Sequence, residues 1–341
     1  MFIKIFKSQR PVSILLIPLV FFGLWFYSLF HYNPPELGKQ DTMMPLYELF
    51  IQYCSGKFWY YSVLIILIFS QVFLVTRLNS MLGLIETRTY LPVIVFLFII
   101  SSYIPLQELH PALIGNTFFL LFLYVLLYTS KNRDLQLSNY FLAGFILSIG
   151  SLFYAAIAYF IIIAWFAYFF FRPFRFREWL VSLIGLIIPY FLFGFYHYFV
   201  DNFSGFIAQI RYGFLYLNKI SLLETHYLIF YTLMALLVLV SVFFLYGNLH
   251  LKKIEARKYY KFILWILLIT LIVFIFAPSV SYESIFFIAL PLTFILSNYF
   301  MNSRIQWFGE VMFFLMVLVH IYIQLIEAGV LTPVIKIELL G

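Results

Sequence analysis

Three carboxylates stand within a short stretch of the sequence, HYNPPELGKQDTMMPLYELF at residues 31–50, which separates two long apolar segments. They are Glu36, Asp41 and Glu48. A carboxylate beside a membrane can act as a general base toward a hydroxyl group, or its oxygens can bind a divalent cation. The alternative interpretation is a hydrated loop whose acids follow the side of the membrane on which it lies. The residue types alone leave both interpretations open.

A second group of polar residues lies in the turn IPLQELHPA, which contains Gln107, Glu108 and His110. The turn connects two short apolar segments, so we expect it to dip toward the membrane. Its carboxylate and imidazole would then join the same site as the acids of the first loop. The alternative is a plain helix cap directly before Pro111.

A third group follows the apolar segment that ends in GFYHYFVDN. His197 and Asp201 are four residues apart, which predicts that they share one face at the end of a helix. Arg211 and Lys219 lie in the next connection, where their positive charges suit the phosphate or diphosphate of a lipid. Contact with membrane headgroups, or a local salt bridge, is the competing interpretation.

Motifs that the sequence lacks exclude several classes of protein. It contains no Walker A loop, no HExxH, no GxGxxG and no cluster of Cys and His residues. The single cysteine, Cys54, excludes an internal disulfide. We predict no cofactor, apart from a divalent metal that the acids of the first loop could hold. The net charge of +7 does not indicate a nucleic-acid partner, because it reflects where the charges fall along a membrane chain.

The composition indicates a membrane protein that must position these groups with helices. Hydrophobic residues make up 65% of the chain and charged residues only 10%, against about 25% charged in soluble proteins. We predict an all-α, polytopic fold with about eleven transmembrane helices, several of them shorter than the usual 20 residues or so. The apolar segments are 11–31, 58–76, 91–105, 112–129, 139–153, 155–171, 180–200, 226–247, 262–277, 282–300 and 307–326.

The placement of positive charge predicts the orientation. With the N-terminus in the cytoplasm, 16 of the 21 lysines and arginines fall on the inner side of an eleven-helix chain. Basic residues in short loops are retained in the cytoplasm, so we expect a bacterial inner-membrane protein with its C-terminus in the periplasm. The outer side then receives Lys39, Lys57, Arg211, Lys219 and Lys336.

The chain is predicted to form a single transmembrane domain over residues 1–341, with outer loops at 32–57 and 201–225. Residues 44–54 carry apolar side chains at helical spacing and should lie along the membrane surface. The run 139–171 is predicted to be a hairpin of two short helices. One long bent helix is the alternative, but it would place two basic loops outside and reverse the charge bias.

The order of these features resembles the membrane core of the GT-C glycosyltransferases, which use lipid-phosphate sugar donors. The likeness covers roughly residues 8–200: a first helix, an acidic first loop, and short helices that include NYFLAGFILSIGSLFY. A basic inner loop and a helix with Gly185 and Pro189 follow. The chain also resembles a family of small, uncharacterised bacterial inner-membrane proteins of this length.

The resemblance to the glycosyltransferases implies roles for particular residues. Asp41, or as second choice Glu36, would be the base that deprotonates the acceptor hydroxyl, and Glu108 would be the acid between the short helices. The partners would be membrane lipids, among them a polyprenyl-phosphate-linked sugar. Basic side chains on the outer side would hold its phosphate, namely Arg211, His197 and Lys219.

Two other functions remain open at this point. A non-enzymatic subunit of an envelope complex would tolerate substitution of the acidic loop. A transporter of lipids or small molecules would require polar residues that line a path through the membrane, and the sequence shows only isolated ones.

Overall fold

The computed structural model describes residues 11–31, 44–53, 56–85, 89–131, 137–171, 175–215, 225–278, 282–303 and 306–330. These residues form helices and connecting turns, and no strand occurs among them. The helices are α1 Pro11–Leu24, α2 Phe26–Phe30, α3 Pro45–Tyr53, α4 Lys57–Leu82, α5 Leu91–Ile100, α6 Pro111–Lys131, α7 Leu137–Phe153, α8 Ile161–Phe171, α9 Phe176–Phe199, α10 Phe203–Leu215, α11 Thr225–Asn248, α12 Ile254–Phe276, α13 Ser284–Asn302 and α14 Gln306–Glu327.

Seven of the described helices, α4, α6, α9, α11, α12, α13 and α14, are long and apolar enough to cross a membrane. Three shorter apolar helices of 10–17 residues occupy Leu91–Ile100, Leu137–Phe153 and Ala155–Phe171. The first apolar stretch forms the consecutive helices α1 and α2. Each of the eleven predicted apolar segments therefore corresponds to a helix or to this pair, as expected for an all-α, multi-pass membrane protein.

The short helix α5 lies at the centre of the molecule. All ten of its side chains are buried, which explains why the sequence LPVIVFLFII has no polar face. Its neighbour α13 is also largely buried, whereas only about a fifth of the residues in the apolar parts of α9 and α14 are buried. Ten helical residues rise only about 15 Å, half the thickness of the hydrocarbon layer. The turn that follows α5 therefore begins inside the protein, where buried residues surround it.

Residues 137–171 fold back on themselves, as the hairpin prediction expected. Helix α7 ends at Phe153, and Tyr154 adopts an extended conformation before a 3-10 turn at Ala155–Phe160 leads into α8. Tyr140 at the start of α7 contacts Tyr168 near the end of α8, with ring centroids 4.7 Å apart. The two ends of the run thus lie side by side.

Helices α7 and α9 approach each other through a pair of glycines. A Cβ atom added to Gly144 would overlap the carbonyl oxygen of Ser182, and one added to Gly185 would overlap the carbonyl oxygen of Phe141. Small residues at such positions let two helix backbones pack closely inside a membrane. This contact fixes α9 against the hairpin.

Within the predicted outer loop 201–225, residues Phe203–Leu215 form helix α10. The prediction that His197 and Asp201 share a helix face is wrong. Helix α9 ends at Phe199, and Asp201 has a φ of 54°, in the left-handed region that ends regular helices. The chain turns at Asp201, so the two side chains belong to different local structures.

Candidate functional site

A polar cavity of about 230 Å³ lies where α2, the start of α4, the turn after α5 and the end of α14 meet. Its lining contains two carboxylates, an imidazole and two phenol rings. The described residues that line it are Tyr27, Ser28, His31, Tyr60, Ile104, Pro105, Gln107, Glu108 and Glu327.

Gln107 connects the turn to the first helices. The Ser28 hydroxyl donates to its Oε1 at 2.8 Å, and its Nε2 donates to the carbonyls of Ser101 and Leu24 at 2.7 and 3.2 Å. The Leu24 carbonyl can accept these bonds because the helix is interrupted at Trp25, whose indole N–H in turn donates to Ser101 Oγ at 2.7 Å. The wall of the cavity is therefore held by a buried hydrogen-bond network.

The Leu24 carbonyl also holds the last described helix, α14, in place. Gln324 on α14 donates to Leu24 O at 2.6 Å, and the buried His320 lies 3.4 Å from it through Nε2. Three residues beyond Gln324, the carboxylate of Glu327 reaches the cavity and accepts a hydrogen bond of 3.0 Å from the Tyr227 hydroxyl. The break in the first helix thus positions one of the two acids.

The other acid, Glu108, is held by the backbone of its neighbour. The Leu109 N–H donates to the Tyr60 hydroxyl oxygen, and the Tyr47 hydroxyl donates to the Leu109 carbonyl, both at 2.9 Å. The Glu108 side chain is half-buried, and its carboxylate has no hydrogen bond to any other residue in the described part of the chain. Burial raises the pKa of Glu108, because a charged carboxylate loses water in this position. A carboxyl group with a raised pKa is a stronger base than an ordinary carboxylate and is suited to take a proton from a bound hydroxyl group.

His110 caps α6, as the structural alternative for this residue predicted. Its Nδ1 accepts a hydrogen bond from Ala112 N at 3.2 Å, and its Nε2 lies 3.8 Å from Glu283 Oε1 at the start of α13. Burial lowers the pKa of His110 to about 4, so the ring is neutral at pH 7. It therefore supplies a hydrogen-bond acceptor to the helix end rather than a positive charge.

This neutral histidine predicts acid sensitivity. The folded pKa lies below the unfolded value of 6.5, so between pH 6.5 and 4 the unfolded chain binds a proton that the folded chain does not. Stability should fall as the pH falls through this window, by on the order of 3 kcal/mol. In His110→Asn, whose Oδ1 can replace the Nδ1 acceptor, thermal unfolding in detergent between pH 7.5 and 4.5 should show a smaller loss. An equal loss in both proteins would contradict the role given to His110.

The predicted phosphate ligands lie elsewhere. The His197 ring stacks on Phe206 of α10 with centroids 5.0 Å apart, and within the described ranges neither of its nitrogens has a partner. Arg211 is exposed on α10. Neither residue is among the described side chains that line the cavity. Glu36, Asp41 and Lys219 lie outside the described residues.

Helix α3 connects the two regions. Its Tyr47 bonds to the turn that carries Glu108, and its Glu48 accepts a hydrogen bond of 2.6 Å from Gln209 on α10. Glu48, which the sequence grouped with Asp41, thus has a structural partner. In the part of the chain that the structure describes, no three His, Cys, Asp or Glu side chains are grouped so that they could hold a metal ion.

Several cavity residues were not singled out from the sequence. Tyr27, Ser28 and His31 follow the helix break by two to six residues, and Tyr60 and Glu327 lie near helix ends. Their position in the sequence could have indicated them, because each lies near a helix end that the charge bias predicts to face outward. The hydrogen bonds of Tyr60, Ser28 and Glu327 join residues 49, 79 and 100 positions apart, so they leave no local pattern in the sequence.

The fold and the site define a multi-pass helical membrane protein with a polar cavity that several helix ends enclose. The chain belongs to the protein family described as "Family of unknown function (DUF6427)", which matches it over residues 42–330. The match includes Glu108, His197, Arg211, Lys219 and Glu327 and begins one residue after Asp41. No curated protein and no solved structure matches the chain.

Proposed function

We propose that the chain crosses the bacterial inner membrane eleven times, with a cytoplasmic N-terminus and a periplasmic C-terminus. The charge bias of the connections and the presence of a helical element at each apolar segment support this topology. In it, the ends of α2 and α14 and the starts of α4 and α6 all lie on the outer side. The cavity then opens toward the periplasm.

The cavity is the acceptor site of a glycosyltransferase with a core like that of the GT-C enzymes. The observation that carries this proposal is the half-buried Glu108 carboxylate, held at the wall of a polar cavity with its pKa raised. Glu108 takes the proton of an acceptor hydroxyl while the oxygen attacks the anomeric carbon of the sugar. The bond from that carbon to the phosphate oxygen breaks, and polyprenyl phosphate leaves with the electron pair.

The donor phosphate binds outside the described cavity, since the described side chains that line it include no lysine or arginine. Arg211, with His197 or Lys219, is the proposed phosphate site on the α10 side, and stabilises charge on the leaving group. Asp41 or Glu36 remains a second candidate base, or a ligand for a divalent metal beside the donor phosphate. Helix α3 couples the two sides through Tyr47 and Glu48.

Reconstitution tests this proposal. The purified protein in liposomes, given polyprenyl phosphate carrying a radiolabelled hexose and a membrane extract as acceptor, should release label from the lipid. Protein-free liposomes serve as the control. Release that does not exceed the control with any hexose tested would favour the non-enzymatic subunit of an envelope complex.

A transporter is less well supported. Two glutamines within the helices contribute to packing: Gln71 bonds to Leu113 O, Thr117 and Asn116 between α4 and α6, and Gln324 bonds to the first helix. Polar side chains with such partners stabilise helix contacts rather than line a path.

A further inference from the structure

One face of α12 is exposed along its whole length. Its residues recur at alternating steps of four and three, so they form a single stripe on the helix. The opposite face, with Tyr260, Ile263 and Ile266, is buried against the protein. The stripe consists of Ile254, Lys258, Lys261, Trp265, Leu268, Ile272 and Ile275.

The second half of the stripe has the character of a lipid-facing surface. Leu268, Ile272 and Ile275 expose 45%, 44% and 71% of their area, although all three are apolar. In a membrane-crossing helix such side chains face acyl chains. Trp265, 41% exposed and packed against Phe166 of α8 at 4.8 Å, stands before them. Tryptophan is typical of the boundary between the acyl chains and the headgroups.

Two exposed lysines continue the same stripe beyond this tryptophan. Lys261 and Lys258 lie about 6 and 10 Å further along the helix axis, at the rise of 1.5 Å per residue. That is the depth of lipid phosphates when Trp265 lies at the boundary. Beyond them, Ile254 and Leu251 are each 72% exposed, so an apolar contact borders the charged pair.

The surrounding charges favour an anion. Residues 251–261, LKKIEARKYYK, contain five cationic side chains and one acid, Glu255. Arg257 holds the turn by donating to the carbonyls of His250 and Lys252. The Lys252 ammonium lies 5.5 Å from the centre of the Tyr260 ring. These two cations bind the protein itself, whereas Lys258 and Lys261 point away from it on the lipid-facing stripe.

We propose that this stripe is a binding site for one anionic phospholipid. Its phosphate lies between Lys258 and Lys261, Trp265 contacts the glycerol region, and an acyl chain lies on Leu268, Ile272 and Ile275. Retention of basic residues in the cytoplasm requires only positive charge near the helix, on any face. The alignment of both lysines with the lipid-facing side chains is an additional feature that lipid binding explains. The site does not depend on the proposed transferase activity.

The test uses the purified full chain in a neutral detergent, with phosphatidylglycerol or phosphatidylcholine added. Bound lipid is measured by native mass spectrometry at low and at 0.5 M salt. The wild type should retain phosphatidylglycerol in preference, and salt should weaken this preference. Lys258→Gln/Lys261→Gln should retain phosphatidylglycerol about tenfold less well, with phosphatidylcholine unchanged.

The matched control is Arg77→Gln/Arg177→Gln, which removes two exposed positive charges from other helices. It should keep the preference for phosphatidylglycerol. An undiminished preference in the lysine variant, or an equal loss in the control, would overturn the proposal, since the effect would then be diffuse attraction. The single variants Lys258→Gln and Lys261→Gln, each with about a threefold loss, serve if the double variant fails to insert.

Discussion

Glu108→Gln is expected to abolish sugar transfer while leaving the protein folded. Glutamine keeps the size and polarity of the side chain but cannot accept the proton of the acceptor hydroxyl. Loss of a general base reduces a rate by roughly 10²–10⁴-fold. The measurement is the initial rate of label release in liposomes, at equal amounts of wild-type and variant protein.

The pH dependence of the transfer rate provides a second test of the role of Glu108. The base must be ionised, and burial places the pKa of Glu108 above the ordinary value of 4.5. The wild-type rate should therefore rise with pH through a range above 4.5, and the residual rate of the variant should lack this rise. Glu255→Gln, an exposed acid at the start of α12, is the control and should match the wild type. A Glu108→Gln protein with the wild-type rate would remove Glu108 from the reaction.

Gly144→Ala and Gly185→Ala are expected to separate α7 from α9 and destabilise the protein severely. In each case the added methyl group meets a backbone carbonyl of the other helix, which cannot rotate away as a side chain would. Overpacking of this kind costs about 3 kcal/mol, from which alanine's better helix propensity recovers about 1 kcal/mol. We expect a net loss of about 2 kcal/mol for each variant, measured by reversible unfolding in mixed micelles.

The control for this prediction is Gly247→Ala. Gly247 lies in α11, and a Cβ added there meets no atom within 4 Å. This variant should be neutral or more stable by up to about 1 kcal/mol. If Gly247→Ala were as unstable as Gly144→Ala, the cause would be glycine flexibility rather than the contact between α7 and α9.

The helices were predictable because apolar run length determines them. Segments such as 112–129 and 262–277 are bounded by proline or by polar and charged residues. Helix α6 covers the first segment, and α12 covers the second except for its last residue, Ala277. The turn that ends α7 was predictable from Gly150, Ser151 and Tyr154, and from the basic residues that must follow α8. The end of α5 at Ile100 was harder to predict, because LPVIVFLFIISSY has no residue before Pro105 that must end a helix.

The cavity could be predicted only in part. The sequence indicated Gln107 and Glu108 as candidate site residues, because they are polar residues in a short turn between apolar helices. The partner of Gln107, the Leu24 carbonyl, cannot be identified from the sequence, because every residue has a backbone carbonyl and only the interruption at Trp25 leaves this one available. The pairing of Gln324 with that carbonyl depends on packing between the first and last helices.

Helix α10 was not predicted for a different reason. Its sequence, FSGFIAQIRYGFL, carries two glycines, a glutamine and an arginine and is too short to cross a membrane. It therefore lacks the length and the apolar composition by which a membrane-crossing helix is recognised. Its apolar side chains nevertheless recur at helical spacing, which is the same signal that identified α3 at the membrane surface.

Cysteine labelling tests most directly whether the Glu108 cavity faces the periplasm. In a Cys54→Ser background, Pro105→Cys places a thiol at the exposed rim of the cavity, and Lys253→Cys places one before α12. A maleimide that cannot cross membranes should label position 105 in intact spheroplasts and position 253 only after lysis. Labelling of position 253 in intact spheroplasts, with position 105 protected until lysis, would contradict the topology and the periplasmic site.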